Sequence, residues 1–305
     1  MSVAIIIPAY NASSFLEEAI RSALAQTTPA AQVIVVDDGS SDDTAVLATR
    51  FGTSVTVLRQ ENAGVSTARN FGAAQTSAEW LLFLDADDRL RPDALEKLLA
   101  RTKTGAFGVV YGQSMDFTDT NFQEAHGHCG AQGPVPLAAR VSFWKSPIGT
   151  PGAAIVRHEI FDRVGRWNPR FNTTADRDLW CRAGTTSEFA FIHEVIVERR
   201  VHESNMSSDK NRARRQAVEV QLGFLSWCSA RNIGLGFLDV SESEIFERNV
   251  KRAVEERAFE AAAWIAEEAK TRGITSDALQ RATRLFAMPG LAREMEVRVR
   301  EFIGL

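Results

Sequence analysis

The sequence has little of what marks a secreted, membrane-spanning or nucleic-acid-binding protein. Only 3 of its 305 residues are cysteines. Cys129, Cys181 and Cys228 have no paired spacing, which indicates isolated thiols in a reducing compartment rather than a disulfide framework. The net charge of -4 excludes a general electrostatic footprint for nucleic acid. No apolar run approaches the length needed to cross a bilayer.

The start of the chain also has no basic targeting segment. No lysine or arginine precedes the apolar residues 3–7, and Pro8 ends that run, so we predict no signal peptide and a cytoplasmic location. Peripheral contact with the inner face of the membrane and homo-oligomerisation both stay open. The hydrophobic share of 45% and the charged share of 24% are typical of globular proteins. The length allows one large α/β domain, or one domain plus an appendage.

The first part of the chain alternates between short apolar runs and amphipathic stretches. Strands are predicted at residues 3–7, 33–36, 55–58 and 80–84, with helices opening near residues 11, 42 and 65. Ser14 and Glu17 have capping-box spacing for the first of these helices. Such alternation predicts right-handed crossovers and a mostly parallel sheet, whose ligands bind beyond the carboxyl ends of the strands.

The remainder of the chain has a different pattern. We predict a short helix at 93–101, strands at 108–111, 153–156 and 195–201, and helices at 212–228, 242–269 and 276–286. Residues 116–150 are rich in glycine, proline and polar groups, which favours a long loop over the sheet. The predicted domains are a catalytic domain at 1–208, with halves at about 1–110 and 111–208, and a helical region at 209–305.

Three polar segments follow predicted strands: residues 8–11, 37–40 and 85–88. No glycine-rich dinucleotide fingerprint or Walker A sequence is present, so a nucleotide here would be held mainly by other groups. Carboxylates repel a diphosphate unless a divalent cation lies between them, and Asp85-Ala86-Asp87 offers the oxygen ligands that Mg²⁺ or Mn²⁺ prefers. On its own, this spacing is more typical of a solvated turn after a strand than of a metal site.

Four motifs in order resemble the signatures of family 2 glycosyltransferases. They are Ile-Ile-Pro-Ala-Tyr-Asn at 6–11, Val-Val-Asp-Asp-Gly-Ser at 35–40, Asn-Ala-Gly-Val-Ser-Thr-Ala-Arg-Asn at 62–70 and Phe-Leu-Asp-Ala-Asp-Asp at 83–88. The resemblance covers roughly residues 1–205 and implies a Rossmann-like GT-A fold. It also implies an inverting, Mn²⁺- or Mg²⁺-dependent enzyme. Its donor would be a nucleoside-diphosphate sugar, with a UDP-sugar favoured, and its acceptor a glycan, lipid-linked or other hydroxyl.

The resemblance assigns the nucleotide side of the site by position. Pro8, Ala9 and Tyr10 would line the base pocket, and Asp38 would hydrogen-bond the base. For Tyr10, packing is a fair competitor. Gly64 would let the backbone approach the nucleotide.

The resemblance also assigns the diphosphate side. Asp85 and Ala86 would lie beside the nucleotide, with Asp85 near the ribose or the water shell of the metal, and Asp87 would be the direct metal ligand. Arg69 would pair with Asp85 or the phosphates, although a structural ion pair is equally compatible with its position. His202 resembles a histidine of the family's closing segment, at residues 200–207, and would ligate the metal or donate to the diphosphate.

Inversion needs a carboxylate that deprotonates the acceptor hydroxyl. In the family this base comes from a Glu-Asp pair before a tryptophan-containing helix, and the matching position here is Asp176. Ala175 replaces the usual Glu. Asp178 is interpreted as an acid at the positive end of a helix.

Three alternatives compete with a glycosyltransferase. A nucleotidyltransferase would carry a glycine-rich, arginine-containing loop after the first strand, where residues 8–11 have none. An aspartyl phosphatase would place its carboxylate pair after the first strand rather than the fourth. A degenerate module that binds nucleotide-sugar or glycan without turnover is favoured only by Ala175, and retention of Asp87 and Asp176 argues against it.

Overall fold

The computed structural model describes residues 1–118, 121–126, 131–202 and 209–286. The chain forms two compact units, Met1–His202 and Glu203–Leu305. The predicted boundary near residue 208 lies outside the described residues, as do Cys129 and most of the closing segment at 200–207. The division of the catalytic domain into two functional halves stays a prediction.

The first unit contains a nine-stranded mixed sheet. Its strands are β1 (Val3–Ala9), β2 (Gln32–Asp37), β3 (Thr56–Arg59), β4 (Trp80–Phe83), β5 (Arg89–Leu90), β6 (Phe107–Phe117), β7 (Phe122–His126), β8 (Ala154–Arg157) and β9 (Glu188–Arg200). The order across the sheet is β3-β2-β1-β4-β8-β6-β9-β5, and β7 pairs with β6.

The direction of pairing changes along this sheet. β3, β2, β1 and β4 are parallel neighbours, as predicted from the strand and helix alternation. β8 is antiparallel to both β4 and β6, whereas β6 and β9 are parallel. The predicted α/β fold with a mixed sheet is therefore confirmed, and its continuous parallel part lies in the first 90 residues.

Helices flank the sheet of the first unit. They are α1 (Leu16–Leu24), α2 (Thr44–Thr49), α3 (Val65–Ala73), α4 (Ala94–Thr102), α5 (Leu137–Trp144), α6 (His158–Arg163) and α7 (Ala175–Ala183). The capping-box prediction is wrong, because α1 begins at Leu16 with Phe15 as its N-cap and Ser14 lies one residue too early. The predicted loop at 116–150 is also wrong in part, because β7 and α5 lie within it.

The core of the first unit explains why β1 is a continuous apolar run. Ile5, Ile6 and Ile7 are fully buried, as expected for a central strand that is covered by helices on both faces. Trp80 and Phe83 on the adjacent β4 are also buried. The polar segments that follow β1, β2 and β4 are therefore anchored to strands in the buried core.

The second unit is helical in its described part, with α8 (Lys210–Ser229), α9 (Glu242–Glu255), α10 (Phe259–Thr271) and α11 (Asp277–Phe286). The single helix predicted at 242–269 is interrupted. Arg257 has a φ of 59°, and the amides of Arg257 and Ala258 donate to the carbonyls of Val254 and Ala253. This is the Schellman arrangement that ends a helix, here without the usual glycine.

Two further observations concern the whole described chain. Cys181 and Cys228 are both buried. None of the helices in the described ranges has both the length and the apolar character required to span a bilayer.

Candidate active site at the carboxyl ends of the parallel strands

The ends of β1, β2 and β4 bring the three predicted polar segments to one edge of the sheet. Ala9 is in register with Asp37, and the amide of Asp38 donates to the carbonyl of Ala9 at 2.8 Å. On the other side of β1, the amide of Leu84 donates to the carbonyl of Ile6 at 3.0 Å. Asp38 therefore follows β2 and Asp85 follows β4, and both of these strands pair with β1.

The residues assigned to the base pocket differ in exposure. Pro8 and Ala9 are buried within β1, whereas Tyr10 leaves 54% of its surface exposed just beyond the strand. An exposed aromatic ring at this edge is available for stacking. The packing interpretation of Tyr10 is therefore the weaker of the two.

Asp38 is buried and holds the loop before α3. Its Oδ1 accepts from Nε2 of Gln60 at 2.7 Å and from the amide of Ala63 at 2.9 Å. Its Oδ2 accepts from the amide of Gly64 at 2.9 Å. The carboxylate thus fixes the loop at 60–64, a role that sequence reasoning missed because two of the three donors are backbone amides.

Gly64 has a backbone conformation that favours glycine strongly. Its φ is 89° and its ψ is 158°, a region that is essentially restricted to glycine. A Cβ at this position would also lie 3.4 Å from Oδ1 of Asn172. Gly64 therefore directs the chain from the Asp38 loop into α3.

We expect Gly64→Ala to lower the free energy of unfolding by about 1–3 kcal/mol, because the new side chain strains this backbone. Denaturant unfolding measures the loss. Gly52→Ala is the matched control, since Gly52 also has a positive φ of 58° but no atom within 4 Å of an added Cβ. Both variants should lose stability, and only Gly64→Ala should also weaken nucleotide binding. Equal nucleotide affinity in the two variants would contradict a site role for this loop.

Arg69 is the buried cation of the site. Its Nη2 lies 2.6 Å from Oδ1 of Asp85, and its guanidinium lies 4.4 Å from the ring centroid of Trp167. The predicted pairing with Asp85 is present. Because Trp167 is only 1% exposed, its ring offers no surface on which a sugar could stack.

Three carboxyl groups lie within four residues at the end of β4. Burial and the negative charge of Asp85 raise the pKa of Asp87. Burial and the charges of Asp85 and Asp87 raise the pKa of Asp88 well above its usual range. The hydroxyl of Thr150 lies 3.4 Å from Asp85 and 3.3 Å from Asp88. Ala86, between the acids, is buried.

His202 lies beside Asp87, as the proposed metal set requires. Its Nε2 lies 3.0 Å from Oδ2 of Asp87, and its ring stacks on Phe15 with centroids 4.9 Å apart. Both side chains keep about a quarter of their surface exposed. Two residues from distant parts of the chain thus form one polar edge.

Arg200 holds the Asp87–Asp88 segment through hydrogen bonds, and this role was not predicted. Its amide donates to Oδ1 of Asp88 at 3.0 Å, and its Nε donates to the carbonyl of Asp87 at 3.3 Å. Its guanidinium contacts Glu18 and lies over Phe15 at 5.2 Å. The pairing of β9 with distant strands creates these contacts, so local sequence gives no signal for them.

A divalent cation would have a partial ligand set in this structure. In the described ranges, histidine, cysteine and acidic side chains do not gather in groups of three or more that could hold a metal ion. Asp87 with His202, together with the nearby Asp85, fits the way Mg²⁺ is usually held, by one or two carboxylates with waters and substrate phosphates. Burial and the negative charge of Asp85 raise the pKa of Asp87. A cation bound beside these carboxylates would reduce their mutual repulsion.

Asp176 lies in the first turn of α7 and is partly exposed. Burial raises the pKa of its carboxyl, and the charge of Arg69 opposes that rise. The charge of Asp85 acts on it as well, so Asp176 belongs to the same electrostatic environment as the carboxylates of β4. Asp178 is instead buried in an ion pair with Arg182, which removes it from consideration as a base.

A family model described as "Glycosyl transferase family 2" matches residues 4–165, which is more than half of the chain. The chain belongs to glycosyltransferase family 2.

Curated relatives agree with this membership. An uncharacterized glycosyltransferase of Rickettsia prowazekii is 29% identical over 234 residues, covering 73% of this chain and 71% of that protein. A hyaluronan synthase of Pasteurella multocida is 25% identical over 218 residues, covering 68% of this chain but only 21% of the synthase. This chain therefore corresponds to a small part of the larger enzyme.

A solved structure confirms the GT-A fold. The S. aureus TarS 1-349 crystal structure in complex with UDP-GlcNAc superposes with a TM-score of 0.61 at 16% identity, covering 100% of this chain and 91% of that chain. At this identity the likeness establishes the fold alone.

Proposed function

We propose that the protein is an inverting glycosyltransferase that moves a sugar from a nucleoside-diphosphate sugar, with UDP favoured, to a hydroxyl acceptor. The grouping of charged side chains at the site carries the proposal. Asp85 and Asp87 lie at the end of one strand, His202 lies 3.0 Å from Asp87, and the charges of Arg69 and Asp85 act on Asp176. These observations support a site in which groups suited to a diphosphate act together with a group suited to accept a hydroxyl proton.

The nucleotide would lie over the ends of β1 and β2. Tyr10 offers an exposed ring for stacking, and the buried Asp38 holds the 60–64 loop in place. Crystal structures of S. aureus TarS, which shares this fold, contain UDP and UDP-GlcNAc. These observations support a UDP-sugar as the donor.

Asp87 and His202 would hold Mn²⁺ or Mg²⁺, with Asp85 close by. When bound, the cation supplies positive charge that stabilises a departing nucleoside diphosphate. Arg69 contributes a buried positive charge beside Asp85. The two charges would make the carboxylate-lined edge compatible with a diphosphate.

Asp176 would accept the proton of the acceptor hydroxyl. The hydroxyl oxygen forms a bond to the anomeric carbon as the bond from that carbon to the diphosphate oxygen breaks on the opposite face. The proton passes to Asp176, and the bonding pair leaves with the nucleoside diphosphate. One displacement of this kind inverts the configuration. The buried Ala175 offers no polar group beside this base, where the resemblance to family 2 implies a Glu.

The acceptor is proposed only by class. The Pasteurella multocida relatives are named hyaluronan synthase and chondroitin synthase, which supports a glycan acceptor and a place in cell-surface polysaccharide or glycoconjugate synthesis. A lipid-linked acceptor, peripheral contact at the inner face of the membrane, a cytoplasmic location and a homo-oligomer stay predictions.

The rate of transfer should depend on pH through Asp176. Burial raises the pKa of this carboxyl, and only the deprotonated form accepts a proton. Activity should therefore fall as the pH decreases through a value above the ordinary aspartate range of about 3.9. Initial rates of UDP release between pH 4 and 8, each checked for folded protein by circular dichroism, measure this dependence. A rate independent of pH over this range would contradict the assignment.

The anomeric configuration of the first product tests the proposed function. The protein is incubated with Mn²⁺ and each of UDP-glucose, UDP-galactose and UDP-GlcNAc, and proton NMR follows the sugar released to water. An inverting enzyme gives the β anomer first from an α-linked donor. Release of the α anomer would contradict inversion. Nucleotide binding without release from any donor would favour the degenerate binding module.

A further inference from the structure

Helix α3 contacts the nucleotide side of the site along its first turns. The amides of Ala63 and Gly64, directly before the helix, donate to Asp38. Arg69, in the middle of the helix, pairs with Asp85 at 2.6 Å. The position of α3 is therefore tied to two of the carboxylates that would surround the donor.

The same helix holds the segment that precedes Asp176. Nδ2 of Asn70 donates to the carbonyl of Trp167 at 2.8 Å, and Oδ1 of Asn70 accepts from the amide of Trp167 at 3.0 Å. One side chain thus satisfies both backbone groups of a residue 97 positions away. The hydroxyl of Ser66 donates to the carbonyl of Phe171 at 2.8 Å.

The bond between Ser66 and Phe171 is protected from water. Ser66 is 1% exposed and Phe171 is 2% exposed. Trp167 packs against Phe83 in a T-shaped arrangement with centroids 5.2 Å apart, and the guanidinium of Arg69 lies over the Trp167 ring. Buried backbone groups of this kind are costly to leave without partners. The segment at 167–171 is consequently held both by hydrogen bonds to its backbone and by packing of the Trp167 ring.

Only three residues separate this segment from α7, which begins at Ala175 and carries Asp176 in its first turn. The short connection limits how far Asp176 can move once residues 167–171 are fixed. We propose, on the basis of the proposed function, that α3 positions the base: Asn70 and Ser66 hold residues 167–171, and thereby Asp176, in fixed relation to Asp38 and Asp85.

Hydrogen exchange tests the positioning without any ligand. Asn70→Ala is compared with wild type and with Thr67→Ala, a change on the same helix outside these bonds. The amides of 166–174 should exchange at least about tenfold faster in Asn70→Ala, while those of β1 keep their wild-type rates. Asn70→Asp retains the acceptor for the Trp167 amide and should restore part of the protection. Should Asn70→Ala not fold, Ser66→Ala takes its place, with faster exchange expected at 170–174.

A second readout separates positioning from a purely structural role. UDP release from UDP-GlcNAc is measured against pH, and UDP affinity is measured by calorimetry with Mn²⁺. Asn70→Ala should bind UDP as wild type does but should release UDP from UDP-GlcNAc at least about tenfold more slowly. The fall of its rate at low pH, which we call the acid limb, should lie at lower pH than in wild type because Asp176 gains contact with water. A purely structural lesion would reduce the amount of active protein and leave the acid limb in place.

The two readouts distinguish this inference from the proposed function. Wild-type exchange rates at 166–174 in both Asn70→Ala and Ser66→Ala would overturn the inference, whatever the protein does with UDP-GlcNAc. A rate loss with an unchanged acid limb would also overturn it. If wild type neither binds UDP nor releases it, the proposed function fails, and the exchange comparison still decides whether α3 holds the segment.

Discussion

Asp87→Asn is expected to abolish the stabilisation that UDP and Mn²⁺ together give to the wild-type protein. Asp87 is the partly exposed carboxylate beside His202, and burial with the charge of Asp85 raises its pKa. The amide removes the negative charge that would attract the cation. At a ligand concentration of 100 times Kd, wild type should gain about 2.7 kcal/mol and the variant close to none. Thermal unfolding with and without ligand measures both.

Asp162→Asn is the matched control for this prediction. It makes the same chemical change at an aspartate of α6 whose side chain is 45% exposed and pairs with Arg166 on the surface. The control should keep the full ligand-dependent increase in Tm. Without ligand, Asp87→Asn should be at least as stable as wild type, because it removes one of three repelling carboxyl groups. A full increase with UDP and Mn²⁺ in Asp87→Asn would contradict its assignment as a metal ligand.

Asp176→Asn is expected to reduce sugar transfer by about 10²–10⁴-fold, the usual contribution of a positioned general base. The variant keeps a side chain of nearly the same shape in the first turn of α7 but cannot accept the proton. Because Asp176 has no assigned role in holding the donor, the increase in Tm with UDP and Mn²⁺ should be retained. UDP release from a UDP-sugar measures the first effect, and thermal unfolding measures the second.

The combination of lost transfer and retained binding separates a base from a binding residue. Asp162→Asn again serves as the control and should retain both properties. Asp178→Asn is unsuitable, since Asp178 forms a buried ion pair with Arg182 and its loss would leave a buried charge without its partner. Wild-type transfer by Asp176→Asn would show that another group takes the proton.

The nucleotide and diphosphate sides of the site could be predicted because each of their motifs lies within a short stretch of sequence. Buried parallel strands appear as continuous apolar runs, and residues 3–7 and 80–84 are of this kind. The rule that ligands bind beyond the carboxyl ends of such strands then selects Asp38 and Asp85. The ion pair between Arg69 and Asp85 was likewise expected, since both residues lie in motifs of the resemblance.

The contacts that sequence reasoning missed are those made across long separations. Arg200 meets Asp88 through a pairing between strands 112 residues apart, and Asn70 meets Trp167 across 97 residues. No periodicity or spacing indicates such partners. Trp167 shows the consequence, because an aromatic residue before the base could equally contact a sugar or fill the core, and only its burial decides.

Composition was a poor guide where secondary structure depends on tertiary pairing. Residues 116–150 contain many loop-forming residues, yet β7 pairs there with β6, which extends to Phe117. The helix predicted at 242–269 ends early because Arg257 adopts a positive φ. A non-glycine residue in that conformation is uncommon, so the sequence carries no conventional stop signal at this point.

The central claim is that the edge formed by Asp38, Asp85 and Asp87 binds a nucleoside diphosphate through a divalent cation. Thermal unfolding of the wild-type protein with UDP, GDP, dTDP and CDP, each with and without Mn²⁺, tests it most directly, because no acceptor need be known. We predict an increase in Tm with UDP that requires Mn²⁺. No increase with any nucleotide in the presence of Mn²⁺ would contradict the claim.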